Sequence, residues 1–144
     1  KHVTTPLTGV RRALRAIRAK QIGYLAPYIS EISSQMCALL KDEDGLHIAA
    51  AATFGEGRDS IVGCIHPESI LDAIDAIVAQ ASTRLDAIFI SCTSLKCATI
   101  IHAAEAKHGI PIISSNSAIA WDMARLASLD VPGARKGRLF NQYG

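Results

Sequence analysis

AIFISCTSLKCATIIHAAEAKHGIPIISSN, Ala87 to Asn116, carries two strand patterns with a turn and a helical pattern between them. Ala87-Ile88-Phe89-Ile90 is a short apolar run, the signature of a buried parallel strand. It stops at Ser91-Cys92-Thr93-Ser94. Leu95, Ile100, Ile101 and Ala104 then recur on one side of a helical pattern, with Lys96, His102, Glu105 and Lys107 largely elsewhere. Gly109 is placed to end that helix, and Pro111-Ile112-Ile113 reads as the next strand. The unit is β-turn-α-β, with a thiol at the carboxyl end of its first strand. Open α/β sheets bind ligands at that edge. A helix starting at Thr93, Ser94 and Leu95 would offer N–H groups to an anion and favour a thiolate at Cys92. The plain alternative for Cys92 is a small buried hydrophobe. Cys97 reads as a packing residue within the helix, and its spacing from Cys92 is not that of a CxxC pair.

Outward from this stretch the alternation continues. Thr5 and Pro6 read as N-cap and first residue of a helix to about Ala19, with Val10, Leu14 and Ile17 as its stripe. Arg11, Arg12, Arg15, Arg18 and Lys20 fall mostly on the other side, as a solvated face or, less simply, a nucleic-acid face. Gln21–Ala26 is a strand ended by Pro27, which puts Tyr28 at the same sheet edge as Cys92. Tyr28 is either a packing aromatic with a wet tip or a donor to a carboxylate. Ser30 can cap a helix to about Lys41, with Ile32, Met36, Leu39 and Leu40 buried and Cys37 beside them. Leu46–Phe54 is a strand whose His47 lies at the far end from Cys92. Phe54 to His66 reads as loop, without the glycine and lysine pattern of a phosphate-binding loop. Pro67 opens a helix to about Ala81. Ser115 or Asn116 caps a last helix from Ala118 to Ala127, and Asp130 to Gly144 reads as irregular.

The expected fold is therefore α/β: a four-stranded, mainly parallel sheet with helices on both faces. The expected division is a connecting helix over 1–20, an α/β domain over 21–128 and an irregular tail over 129–144. The composition, 144 residues at 49% apolar and 19% charged, suits one domain with a real core. A formal charge of +2 and seven aromatic residues argue against nucleic acid. No apolar span is long enough for a membrane helix. Four cysteines without a disulfide-scaffold spacing point to free thiols in a reducing cytoplasm. Cys64 and His66 lack further ligands, so no metal is expected. Lys1 is not a methionine, and the opening reads as though the chain begins within a longer protein.

ISCTSL after a strand, followed by IPIISSNSAIAWDMARL, resembles the aspartate/glutamate racemase superfamily. The closer likeness is to its maleate cis-trans isomerase and arylmalonate decarboxylase branch. APYISEIS (Ala26–Ser33), VTTPLTGVRRAL (Val3–Leu14) and PGARKGRLF (Pro132–Phe140) fit the start, connection and tail of that branch's second half. The resemblance implies a flavodoxin-like half of a two-domain enzyme whose site lies between the halves, with one cysteine from each. It implies Cys92 as the second-half catalytic cysteine, and Tyr28 with the N–H groups of Thr93 and Ser94 as substrate carboxylate donors. Ser115 and Asn116 match the motif, though a helix cap explains them equally well.

The first-half cysteine has no counterpart here, since Cys37, Cys64 and Cys97 stand in the wrong contexts. The implied activity is a cofactor-independent isomerisation or racemisation of a small dicarboxylate, with decarboxylation as a variant, inactive in this half alone. Its implied partners are a small carboxylate and a missing N-terminal half or another subunit. The apolar faces that would meet that half also offer a surface for association between copies. The alternative is a non-catalytic flavodoxin-like carboxylate-binding module.

Overall fold

Four parallel strands lie side by side in the order β2-β1-β3-β4. They are β1 (Gln21–Ala26), β2 (His47–Thr53), β3 (Ala87–Ile90) and β4 (Ile112–Ser114). The computed structural model describes residues 2–131 and 137–143. Around the sheet run α1 (Pro6–Ala16), α2 (Ser30–Asp44), α3 (Asp59–Val62), α4 (Pro67–Gln80), α5 (Ile101–His108), α6 (Ser115–Leu126) and α7 (Arg138–Tyr143).

The strand alternation sorts the core into two layers. Ile22, Tyr24, Ala87, Phe89 and Ile113 face Val10 and Leu14 of α1, Leu40 of α2 and Trp121 of α6. Leu25, Ile88, Ile90 and Ile112 face Ile70, Ile74 and Ile77 of α4 and Ile101 of α5. The helices α1 and α6 approach closely because Gly9 has no side chain: a Cβ there would stand 2.8 Å from the Ala118 carbonyl oxygen. Thr5 caps α1 as expected, accepting from the Thr8 N–H at 3.1 Å.

The basic run of α1 is engaged within the fold. Arg11 and Arg15 both reach Asp44 of α2, at 2.8 and 2.9 Å, and Arg12 holds the buried Asp122 of α6 at 2.7 Å. The face is solvated as expected at Arg15, Arg18 and Lys20, and its ion pairs also clamp three helices, which leaves Arg11, Arg12 and Arg15 little freedom for phosphates.

Several elements differ from expectation, each for a local reason. The helix after Cys92 begins at Ile101, so Thr93, Ser94 and Leu95 lie in turns and not at a helix N-terminus. Cys97 is buried but in that turn segment, where its carbonyl accepts from the Ile100 N–H at 3.0 Å. Ile29, not Ser30, occupies the N-cap of α2 and supplies no side-chain bond; Ile32 is exposed. The helix expected from Ala118 is α6 and starts at Ser115, capped by Ser114 in a reciprocal box with Ser117. The Phe54–His66 segment contains the short α3, and the expected irregular tail contains α7. Within that tail residues 132–136, with the basic Arg135 and Lys136, lie outside the described residues.

Candidate active site

In the strand order β1 sits between β2 and β3, so the chain leaves β1 in one direction and returns on its other side. Such reversals open a crevice at the carboxyl ends of the strands, where ligands bind. The carboxyl ends of β1 and β3 flank this point, paired through Leu25 and Ile90. Beyond Leu25 comes Tyr28; beyond Ile90 comes Cys92. The sequence places both residues at this edge, and the fold brings them together.

Cys92 is buried, 7% exposed, and has φ +101°. That backbone conformation is costly for a residue with a Cβ and is kept only where the surroundings enforce it. The enforcement is visible. The Ser91 N–H donates to the Leu25 carbonyl at 2.8 Å, and the Cys92 N–H donates to Ser115 Oγ at 3.2 Å. Asn116 Nδ2 donates to the Thr93 carbonyl at 2.9 Å. The turn is thus fastened to the first residues of α6, and it is this helix, not α5, whose N-terminal turn adjoins the cysteine loop. The Ser94 N–H donates to Cys92 Sγ at 3.4 Å, fixing the sulfur. Thr93 is exposed at the rim.

Tyr28 is half-buried, and its carbonyl accepts from the hydroxyls of Ser33 and Thr53. Burial raises its phenol above the ordinary value, the Ser91 hydroxyl opposes that rise, and contact with Cys92 adds to it. The phenol therefore remains a hydrogen-bond donor at neutral pH. Of the other thiols, Cys97 is packed in the same core cluster as Cys92 and feels its charge. Burial pushes Cys97 up to about 12 and raises Cys37, while Cys64 is exposed and donates to the Ser60 carbonyl at 3.3 Å. His47 bonds Gln21 at the opposite end of the sheet. Among the described residues no cluster of His, Cys, Asp and Glu could hold a metal ion.

The sequence assigns no role to Ser91, which directly precedes Cys92, or to Tyr24 of β1; both are buried. For Tyr24 the available signal is the strand alternation of Gln21–Ala26, which assigns its face without saying what its hydroxyl meets.

The family model for arylmalonate decarboxylase matches residues 2–140. The chain belongs to this family. It is 28% identical over 130 residues to the maleate isomerase of Nocardia farcinica, covering 90% of this chain and 50% of that one. It is 27% identical over 143 residues to the arylmalonate decarboxylase of Bordetella bronchiseptica, covering 96% and 58%. The solved Nocardia farcinica maleate cis-trans isomerase bound to TRIS superposes with a TM-score of 0.90 at 25% identity, over 97% of this chain and 56% of that one. A mutant of that isomerase, TM-score 0.88 at 23% identity over 96% and 56%, has a covalently bound succinylcysteine intermediate. The chain spans about half the length of the relatives it matches, as a family domain with the Asp/Glu racemase-type fold. No helix among the described residues is long and apolar enough to cross a membrane.

Proposed function

We propose that this chain supplies one half of a cofactor-independent, cysteine-dependent site for a small carboxylate or dicarboxylate, in an isomerase or decarboxylase of this family. The observation that carries the proposal is Cys92 at φ +101°, held beside Tyr28 where the chain reverses direction across the sheet. The Tyr28 O–H, with the Thr93 N–H, binds the substrate carboxylate, and the Ser94 N–H joins them when the anion draws it from its bond to Cys92 Sγ. Fixed donors of this kind stabilise the charge that builds on a carboxylate as its α carbon becomes carbanionic.

The second thiol comes from the N-terminal half of a longer protein or from another subunit. In the isomerisation one thiolate adds to an alkene carbon. The C–S bond forms as the π pair moves to the neighbouring carbon and its carboxylate. The former double bond then rotates, the pair returns, and the C–S bond breaks. Cys92 serves as the thiol facing this chemistry, as acid or base, and the complementary thiol faces it from across the cleft. In a decarboxylase Cys92 would instead protonate the planar enediolate left by loss of carbon dioxide.

The test is Cys92→Ser in the longest native form of the protein, assayed by proton NMR in D₂O with maleate and an arylmalonate. Loss of turnover with an unchanged melting temperature is expected, and near wild-type turnover would refute the assignment. A binding-only module is the second reading, favoured by Cys97, the described thiol that feels the charge of Cys92, being pushed up to about 12 by burial and so kept protonated. Saturable carboxylate binding without turnover in every native form would establish it.

A further inference from the structure

Tyr24 is fully buried, and its hydroxyl has no hydrogen-bond partner among the described residues. A buried donor left in this way is costly and calls for a physical explanation. Its ring stands edge-on to Phe89, 5.7 Å between centroids and 63° between planes, which fixes the phenol's direction. The same tyrosine borders a cavity of about 370 Å³ between α2 and the strands β1 and β2. Two features of the sequence keep this space open. In register, Tyr24 stands beside Ala51 of the edge strand β2, whose methyl group is too small to fill it. On α2, Ser30, Ser33, Ser34 and Cys37 recur at the spacing of one helix face, and all four line the cavity. A helix laid on a sheet normally presents aliphatic side chains there. Here the isoleucines at its start, Ile29 and Ile32, are exposed instead.

The chemistry of the walls narrows what the cavity can take. No Asp, Glu, Lys, Arg or His lines it, so an ion would be desolvated there without a counter-charge. Two of its hydroxyls are already committed as donors: Ser33 Oγ to the Tyr28 carbonyl at 3.4 Å, and Thr53 Oγ1 to the same oxygen. Their own oxygens keep lone pairs for an incoming N–H or O–H. A single water takes about 30 Å³, so there is room for an organic molecule, and the volume falls within the range of small-ligand sites. We infer that this groove is a second ligand site, separate from the edge between Tyr28 and Cys92, for a small uncharged molecule whose carbonyl or hydroxyl oxygen accepts from the Tyr24 O–H. Ala51 and the tyrosine ring pack its apolar part, and the serines of α2 meet its remaining polar groups. The inference stands independently of the chemistry assigned to Cys92.

The test is an NMR titration of the longest native form of the protein, labelled with ¹⁵N, with propionamide as the probe and propionate as its charged counterpart. Propionamide is expected to shift the amides of Ser33, Ser34 and Thr53 saturably, with a Kd on the order of 10 mM. Propionate should leave those three amides unmoved at the same concentrations. Tyr24→Phe should weaken propionamide binding about threefold to tenfold, the effect of one hydrogen bond. It should do so without lowering the melting temperature, since it removes an unpaired buried hydroxyl. Ala51→Leu fills the groove and should abolish the shifts in a folded protein. A wild type without saturable propionamide shifts at these residues would overturn the inference, as would undiminished binding in Tyr24→Phe. Propionate binding in the groove as tightly as propionamide would overturn the assignment to an uncharged ligand.

Discussion

Cys92 and Ser115 are joined by a bond from the Cys92 N–H to Ser115 Oγ, 3.2 Å long and buried. It ties the turn after β3 to the first residue of α6, so the thiol's position is set by a helix later in the chain. Ser115→Ala leaves the Cys92 N–H without that partner. The expected loss of stability is about 1–2 kcal/mol, the cost of an unsatisfied buried donor. Iodoacetamide should also modify Cys92 faster in the variant, because the loop is released. Identical denaturant midpoints and alkylation rates in Ser115→Ala and wild type would show that Ser115 is only a bystander.

The left-handed backbone of Cys92 gives a second expectation. Glycine reaches φ +101° without the steric cost that a Cβ incurs. Both Cys92→Ala and Cys92→Gly remove the thiol, so both should be inactive in the native enzyme. They should differ in stability, with the glycine variant about 1 kcal/mol above the alanine variant in guanidinium unfolding. An alanine variant as stable as the glycine one would mean that the turn relaxes freely and stores no strain.

The strand Gln21–Ala26 is legible in the sequence because a continuous apolar run meets Pro27, which cannot extend a central strand. Tyr28 and Cys92 follow from that reading, since parallel strands put their carboxyl ends on one edge. The helix after Cys92 is not legible at its start. Leu95, Ile100 and Ile101 fit a helical period, but Leu95 and Cys97 are buried as turn residues, and the positive φ of Cys92 breaks the path. The fastening of that turn to Ser115 and Asn116 is a long-range contact, invisible to any local period. Tyr24 illustrates the same limit: its face is predictable and its hydroxyl's company is not.

Away from the site, Asp75 of α4 links to α5 through Lys107 at 2.5 Å and His108 at 2.6 Å. Lys107 first, then His108, hold its carboxyl below the usual range. A depressed folded value means the ion pair stabilises fully above the unfolded value of about 3.9 and is lost as pH falls through the folded one. The pair is partly exposed, so solvent screening keeps its contribution small. Asp75→Asn should melt below wild type at neutral pH, and the gap should close toward strong acid. A gap that persists unchanged at acid pH would assign it to packing and not to charge.

Glu105 is a buried carboxylate whose two oxygens do different work. Oε1 accepts from the Ile112 N–H at 2.9 Å, at the start of β4, and Oε2 accepts from the Arg138 N–H at 2.8 Å, at the start of α7. It therefore fastens the last strand and the last helix to α5. Gly137 makes room for this, because a Cβ there would stand 3.2 Å from Oε2 and 2.8 Å from Ile101 Cγ2, and its φ of +84° favours glycine independently. Glu105→Ala removes two charge-assisted acceptors and should cost about 3 kcal/mol. Glu105→Gln keeps one acceptor oxygen and puts an amide donor against the other N–H, so it should not recover the loss fully. Hydrogen exchange separates the two arms: in Glu105→Ala the amides of Ile112 and Arg138 should both lose protection, while Leu25 in the sheet centre keeps its own. Retained protection at Arg138 would mean that α7 is held by Leu139 and Trp121 packing, and that the carboxylate serves β4 alone.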